Sequence, residues 1–348
     1  MATGTPLKLK SLLLRCLFLA ALILIAALQT IGQGNPLWHL AKRFRSNPPN
    51  RQSPILESLF FSDQQRGWAA GNNGFVAHTR DGGQTWQSKT LRPAADLNAI
   101  FFYNNLEGWL VGSDVRQDGR RFGIVIHTDD GGDTWAVQLR VRSFELSGLN
   151  DIVFMDAEHG CAVGVVQHEG TVQGAIYITK DAGKNWSLQH LAGDRSGSLT
   201  KVKFVDTRVG WAVGEGVILH TIDGGEHWTE QRHEKGDYLF DIESVSAVNL
   251  WIVGGNGLLL HTTDGGKSWK LSKLPPDFEK AWFSQILFLD DHRGWLFGNN
   301  GTILATTNGG ESWQLESKSK SGYLRASTST SRALFTAGND GVILRRIR

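Results

Sequence analysis

Six side chains capable of acid, base or ligand chemistry recur at one fixed place in six near-copies of a single motif. They are Asp81, Asp130, Asp181, Asp223, Asp264 and Asn308, in "TRDGGQTW", "TDDGGDTW", "TKDAGKNW", "TIDGGEHW", "TTDGGKSW" and "TTNGGESW". A carboxylate there could act as nucleophile, general base or cation ligand. Asn308 cannot be a nucleophile, and six equal active centres in one chain make little chemical sense. The spacing lacks the alternating carboxylates of a calcium loop. A turn uses the same residues well. Asp accepts hydrogen bonds from the backbone of its own loop, Gly supplies positive φ, and Trp anchors the corner. These six positions are therefore read as structural, with no metal and no catalytic residue among them.

Other catalytic sets are thin. His78, His127, His220 and His261 each precede the motif threonine, so they are repeat positions, and no Ser–His–acid or metal-ligand spacing is present. A glycosidase would have to use Tyr238 with Glu234 or Glu243, or two carboxylates from Asp237, Asp241, Asp277 and Glu279. Acids on loops are common, and the chain has four tyrosines, of which only Tyr238 is suitably placed. No enzyme activity and no cofactor are expected. Recognition has better candidates. Arg116, Arg120, Arg121, Arg140 and Arg142 fall within 27 residues, and Arg195 follows. Planar, bidentate guanidinium groups suit an acidic peptide or a C-terminal carboxylate. Trp282, near Phe278 and Phe283, could anchor the same partner.

The elements that must position these groups are strands. A second signature precedes each motif: "GWAAG" (67–71), "GWLVG" (108–112), "GCAVG" (160–164), "GWAVG" (210–214), "LWIVG" (250–254) and "GWLFG" (294–298). A seventh copy, "ALFTAG" (333–338), has no motif after it. Each unit reads as four short strands separated by Gly/Asp/Asn turns, which predicts an all-β, seven-bladed β-propeller. The seventh unit supplies only three strands. Trp38 lies 48 residues before Trp86, and Trp86 lies 49 before Trp135. That shared phase predicts that an N-terminal strand completes the last blade and removes an open sheet edge. Turns after the first and third strands are short and uniform. The insertions (113–123, 140–148, 166–174, 191–198, 232–240, 273–283) all fall on the opposite face, which marks it as the binding side. Asn98, Asn150, Thr200, Asp241, Ser284 and Arg325, at the starts of the innermost strands, are expected around a polar central channel.

Residues 1–34 read as a signal peptide or an N-terminal membrane anchor, and 35–348 as the propeller. Lys8, Lys10 and Arg15 precede the apolar run "CLFLAALILIAAL" (16–28). Thirteen residues suit a signal-peptide core better than a full span. Cys16 lies in that run, so a disulfide with Cys161 is not expected. A net charge of +2 over 348 residues gives no electrostatic footprint for nucleic acid.

The six Asp–Gly–Trp corners resemble the Asp-box, or BNR, repeats of sialidases, sortilin-type receptors and several glycosidases. The paired "GWxVG … TxDGGxxW" phrasing from Trp38 to Arg348 most resembles the photosystem II stability/assembly factor family of cyanobacteria and chloroplasts, with relatives in non-photosynthetic bacteria. One departure is that the chain has no lipobox cysteine. The resemblance implies an exported, non-catalytic binding propeller in the periplasm, cell envelope or thylakoid lumen. It would assist assembly or stability of a membrane protein complex by holding an acidic or extended segment of a client subunit. It would be membrane-associated through its N-terminus if that is uncleaved. A glycan-binding or sialidase-like propeller is the alternative.

Overall fold

The computed structural model describes residues 37–45, 52–116, 119–140, 146–168, 171–192, 197–231, 238–318 and 322–348. Seven four-stranded antiparallel sheets follow one another along the chain, as the sevenfold signature predicts. The innermost strands of blades 1 to 7 are Leu56–Phe61, Asp96–Phe102, Leu146–Phe154, Leu199–Phe204, Leu239–Ser244, Phe283–Phe288 and Leu324–Ser329. Each contacts the innermost strand of the next blade, and the seventh contacts the first.

The recurring "GWxVG" segments are the second strands. They are buried on both sides, so they read as continuous apolar runs with little alternation. Their two glycines are steric requirements. A Cβ on the closing glycine of all seven (Gly71, Gly112, Gly164, Gly214, Gly254, Gly298, Gly338) would collide with the carbonyl oxygen of the residue that precedes its ladder partner on the innermost side. A Cβ on the opening Gly67, Gly108, Gly160, Gly210 or Gly294 would collide with the phenylalanine paired opposite it. Blade 5 has Ser244 in place of that phenylalanine, and there the opening residue is Leu250. The tryptophans of this series fill the seams between blades. Trp68 stacks on Phe102 of the next blade at 3.7 Å between centroids, and Trp109 stacks on Phe154 at 3.8 Å.

One irregularity recurs in every blade. The pairing of the innermost with the second strand skips one residue near its start: Glu57, Asn98, Asn150, Thr200, Phe240, Ser284 and Arg325. An unpaired bulge residue is free to turn out of its own ladder. Here it reaches across the seam. Asn98 Nδ2 donates to Leu149 O at 2.8 Å, Asn150 Nδ2 to Leu199 O at 2.7 Å and Thr200 Oγ1 to Leu239 O at 2.7 Å. Ser284 Oγ donates to Leu324 O, and Arg325 Nη1 lies 3.2 Å from Glu57 Oε2. The two remaining seams use the next residue along. Ser58 Oγ accepts from the Ile100 N–H at 3.1 Å, and Asp241 Oδ2 accepts from the Ile286 N–H at 3.0 Å.

The ring closes as the tryptophan phase predicts. His39–Arg43 is the outermost strand of blade 7 and pairs antiparallel with Val342–Ile347, from His39↔Arg345 to Arg43↔Val342. Trp38 is 5% exposed, sets its ring edge-on to Phe297 at 5.6 Å, and donates from Nε1 to Glu316 Oε1 of blade 6 at 2.7 Å. The same Glu316 oxygen accepts from Trp295 Nε1 at 3.0 Å. The N-terminal strand is thus tied to two blades. Replacing Trp38 by Ala should cost about 3–5 kcal/mol, the usual range for truncating a buried tryptophan. Urea unfolding measures it, and a loss under about 1 kcal/mol would show that this strand lies outside the cooperative unit.

Candidate partner-binding face

The two faces of the ring are built differently. On the short-turn face each Asp-box repeats one hydrogen-bond pattern. Thr79 Oγ1 donates to Asp81 Oδ1 at 2.8 Å and accepts from the Gly83 N–H at 2.9 Å, and the Thr85 N–H donates to Asp81 Oδ1 at 2.8 Å. Asp130, Asp181, Asp223 and Asp264 make the same bonds. Bonds to the ionised form hold three of these carboxyls down at about 2. The donors are the Thr134 hydroxyl for Asp130, the His227 amide for Asp223 and the Ser268 hydroxyl for Asp264. Asn308 keeps the geometry with one reversal: its Nδ2 donates to Ser312 Oγ at 3.0 Å, whereas in the fifth copy Ser268 Oγ donates to Asp264.

The opposite face carries the insertions. The second and third strands of blade 1, Gly67–Gly71 and Phe75–Thr79, have five residues each. In blade 2 they are Gly108–Val115 and Arg121–Thr128, with eight each, and in blade 3 Gly160–His168 and Thr171–Thr179, with nine each. At ~3.3 Å per residue the extra length raises both hairpins about 10 Å above the rim. They stand side by side as a wall.

Arg116 sits at the tip of the blade 2 hairpin, where its N–H donates to Arg120 O at 2.8 Å. Its Nε is 3.7 Å from Asp114 Oδ2, and its guanidinium lies 5.4 Å over the Phe122 ring. Arg121 Nη2 pairs with Asp96 Oδ2 at 2.8 Å. Both side chains remain about half exposed. Arg120 is exposed in the same hairpin, and the Arg140 backbone pairs with Ile124 in blade 2. Arg142 and Arg195 lie outside the described residues, as do Glu234 and Asp237. Acidic neighbours for Arg116 and Arg121 are the finding that spacing alone did not suggest.

Across the channel mouth, Trp282 is half-buried beside blade 6. It stacks on Tyr238 at 6.0 Å and meets Phe240 at a tilt, 5.7 Å between centroids, both from blade 5. Tyr238, 42% exposed, is therefore part of an aromatic cluster. Glu243 is held by Lys203 Nζ at 2.7 Å inside the channel.

The central channel is two adjoining cavities of about 300 and 290 Å³, sharing Ser58, Leu59, Asp151, Lys201, Gln285 and Ser327. Asn98, Asn150 and Thr200 line the first, as expected. Asp241 does not stand in their register. Phe240 holds the equivalent bulge position, and Asp241 lies one residue deeper. The charged wall comes from blades 3, 4 and 5. Asp151 Oδ2 accepts from the Val202 N–H at 3.0 Å, and Lys201 Nζ is 3.4 Å from Asp151 Oδ1. Burial pushes the Asp241 carboxyl up to about 7, opposed mainly by the Lys201 charge, the Ile286 N–H and Lys203, and assisted by Glu243. Lys201 is held above its ordinary range by Asp151, Asp241 and Glu243 against the effect of burial. Asp151, Lys201 and Lys203 were invisible as a group in the sequence, because the bulge decides which residues turn inward.

A family model described as photosynthesis system II assembly factor YCF48 matches residues 49–199 and 189–281. The photosystem II stability/assembly factor HCF136, chloroplastic, of Arabidopsis thaliana is 25% identical over 146 residues, covering 38% of this chain. The match spans 30% of that relative's length. A solved structure described as YCF48 bound to D1 peptide has a TM-score of 0.67 at 23% identity, over 91% of this chain and 96% of that one. YCF48 from Cyanidioschyzon merolae also gives 0.67, at 19% identity, over 89% and 98%.

Two substitutions test the geometry. Asp241→Asn keeps an oxygen for the Ile286 N–H and has nothing to ionise. The folded chain binds the Asp241 proton more tightly than the unfolded chain, whose carboxyl has the ordinary value of 3.8. Ionisation therefore costs stability as pH rises from about 4 to about 7, on the order of a few kcal/mol. Urea unfolding from pH 4 to pH 8 should show the variant gaining on the parent and then levelling; parallel profiles would contradict a buried, proton-binding Asp241. Asn308→Asp restores a charge-assisted acceptor for the Ser312 hydroxyl. It should raise stability by about 0.5–1 kcal/mol at pH 7, a gain that disappears near pH 2.

Proposed function

Because the chain belongs to the photosynthesis system II assembly factor YCF48 family, we propose that it is a non-catalytic, exported binding propeller. In this reading it holds an extended, acidic segment of a membrane-complex subunit on the insertion-rich face. The observation that carries it is the unequal build of the two faces. The short-turn face spends its polar groups on its own corners, with each Asp-box carboxylate bound inside its loop. The opposite face raises a wall of two hairpins with half-exposed arginines and sets an aromatic cluster across the channel mouth. A related propeller has been solved with a D1 peptide, so a peptide client suits the fold.

A segment laid across the mouth would bring its carboxylates to Arg116, Arg120 and Arg121, and the set read from the sequence adds Arg140, Arg142 and Arg195. An apolar residue would rest on Trp282. Guanidinium–carboxylate pairs give register and charge selection, and the aromatic contact contributes buried area. Arg116 and Arg121 are held by Asp114 and Asp96 in the free protein, which orients them without fully neutralising them. The N-terminal segment, as leader or anchor, would deliver the propeller to a periplasm, cell envelope or thylakoid lumen.

The test is binding of a synthetic D1 peptide, followed by fluorescence anisotropy. Replacing the five arginines (116, 120, 121, 140, 142) by Ser should weaken binding at least tenfold and leave the melting temperature within a few degrees. Trp282→Ala should weaken it severalfold. Full binding by the five-fold variant would remove the arginine site. No binding by the parent would remove this class of client.

A further inference from the structure

We propose that the central channel binds one primary ammonium group, which enters from the insertion-rich mouth and places its charge at Asp241. A lysine tip on a bound segment and a small free amine share this chemistry.

Charge balance is the first argument. Three cations stand at the channel, and each has an acid of its own. Lys201 is 3.4 Å from Asp151, Lys203 is 2.7 Å from Glu243, and Arg325 is 3.2 Å from Glu57. Asp241 is the fourth acid. It is 4% exposed and lines the second cavity. Its Oδ2 accepts from the Ile286 N–H, and among the described residues it forms no salt bridge. Lys201 and Lys203 face it from blade 4, Asp151 from blade 3 and Glu243 from its own strand. Blades 1, 2, 6 and 7 line that cavity with uncharged residues. With Asp241 ionised, the acids exceed the cations by one. A single added cation restores neutrality, in a space where solvent ions screen charge less than at the surface.

Hydrogen-bonding capacity points the same way. The seams consume the donors that line the channel. Asn98 Nδ2 and Thr200 Oγ1 donate to carbonyls of the next blade, and Gln285 Nε2 donates to Ser284 O at 2.9 Å. The amide oxygens of Asn98 and Gln285 are left as acceptors, and both side chains line the first cavity. An ammonium brings three donors and needs only acceptors. A carboxylate or phosphate would meet cations that already hold acids.

The wall above Asp241 suits a methylene stem. Leu59, Ala99, Phe240 and Ala326 stand among the polar residues of the first cavity. Phe240 precedes Asp241 by one residue, about 3.3 Å of strand, and packs against Trp282 at the mouth. An ammonium passing that ring gains a cation–π contact. A four-carbon stem reaches from there to the carboxylate. A bare alkali ion would use none of these carbon contacts.

The test is titration of the full chain with n-butylammonium chloride at pH 8, read by saturation-transfer NMR at the ligand methyl group. Butylammonium should bind, and 1-butanol and tetramethylammonium should not. No binding, or equal signals from the controls, overturns the proposal. Potassium chloride at the same concentration should leave the signal unchanged; displacement would make this an alkali-ion site and overturn it. Asp241→Asn should weaken binding at least tenfold. Burial places the Asp241 carboxyl at about 7, and the amine stays protonated to about pH 10. Parent affinity should therefore fall about tenfold from pH 8 to pH 6, and the variant should show no such slope. An unchanged Kd in Asp241→Asn, or a flat parent profile, also overturns the site. A blocked pentapeptide with one lysine among glycines, set against its norleucine counterpart, separates the sources. Binding by the lysine peptide assigns the site to a segment side chain, and binding by butylammonium alone assigns it to a free amine. The five-fold arginine variant should keep this binding, so the peptide reading and the ammonium site can each fail alone.

Discussion

Each seam of the ring depends on a side chain that reaches from one innermost strand to the next, and that reach depends on a bulge. Where the ladder skips a residue, the skipped side chain leaves its own sheet and bonds the neighbouring blade. Asn98, Asn150, Thr200, Ser284 and the Arg325–Glu57 pair do so directly. Ser58 and Asp241 do so one residue later. A propeller packs mainly by apolar contact between sheets, which resists separation but specifies sliding poorly. These directional bonds set the height of each blade against the next. They also decide what faces the channel, because the residues after the bulge inherit its shift.

Asp241 shows the consequence. Its blade has Phe240 at the bulge, and a phenylalanine cannot donate to the neighbouring carbonyl. The link falls to Asp241, which accepts from the Ile286 N–H deep in the channel. A carboxylate at that depth is costly, and burial raises its proton affinity. Lys201 and Lys203 on blade 4 offset part of the cost. The displaced aromatic ring is then available at the mouth, where it packs at a tilt against Trp282. Phe240 at the bulge thus accounts for the aromatic contact above, whereas the charged wall below also holds Asp151, which accepts from the Val202 N–H although its own bulge residue, Asn150, is polar.

The architecture was legible in the sequence because its constraints are short-range and steric. The closing glycine of "GWxVG" is demanded by a carbonyl oxygen that would meet any Cβ, so the signature survives in all seven blades, including the degenerate "ALFTAG". The phase of Trp38 was readable for the same reason: its ring fills a fixed place between blades 6 and 7. The register of the innermost strands was not readable. Asn98 and Asp241 look alike as early polar residues, and only the bulge separates them. The insertion-rich face was legible by its loop lengths but not by its chemistry. Five arginines close in sequence suggest a free cationic patch, whereas Asp114 and Asp96 stand beside two of them. Charge pairing is a property of neighbours in space, and neither acid stands out by spacing.

The same division explains how such a ring can change partners without changing fold. The short-turn face is saturated with local bonds. Even Asn308 keeps its corner by reversing one donor, because a turn needs an oxygen at that position and tolerates a change of charge. The other face ends in hairpins whose length is unconstrained by the ring. Blades 2 and 3 carry eight and nine residues where blade 1 carries five, and their inner strands still bond their neighbours across the seam. Variation is therefore confined to the side that has no part in closure. That confinement is what lets a repeat built for stability carry a single, asymmetric face.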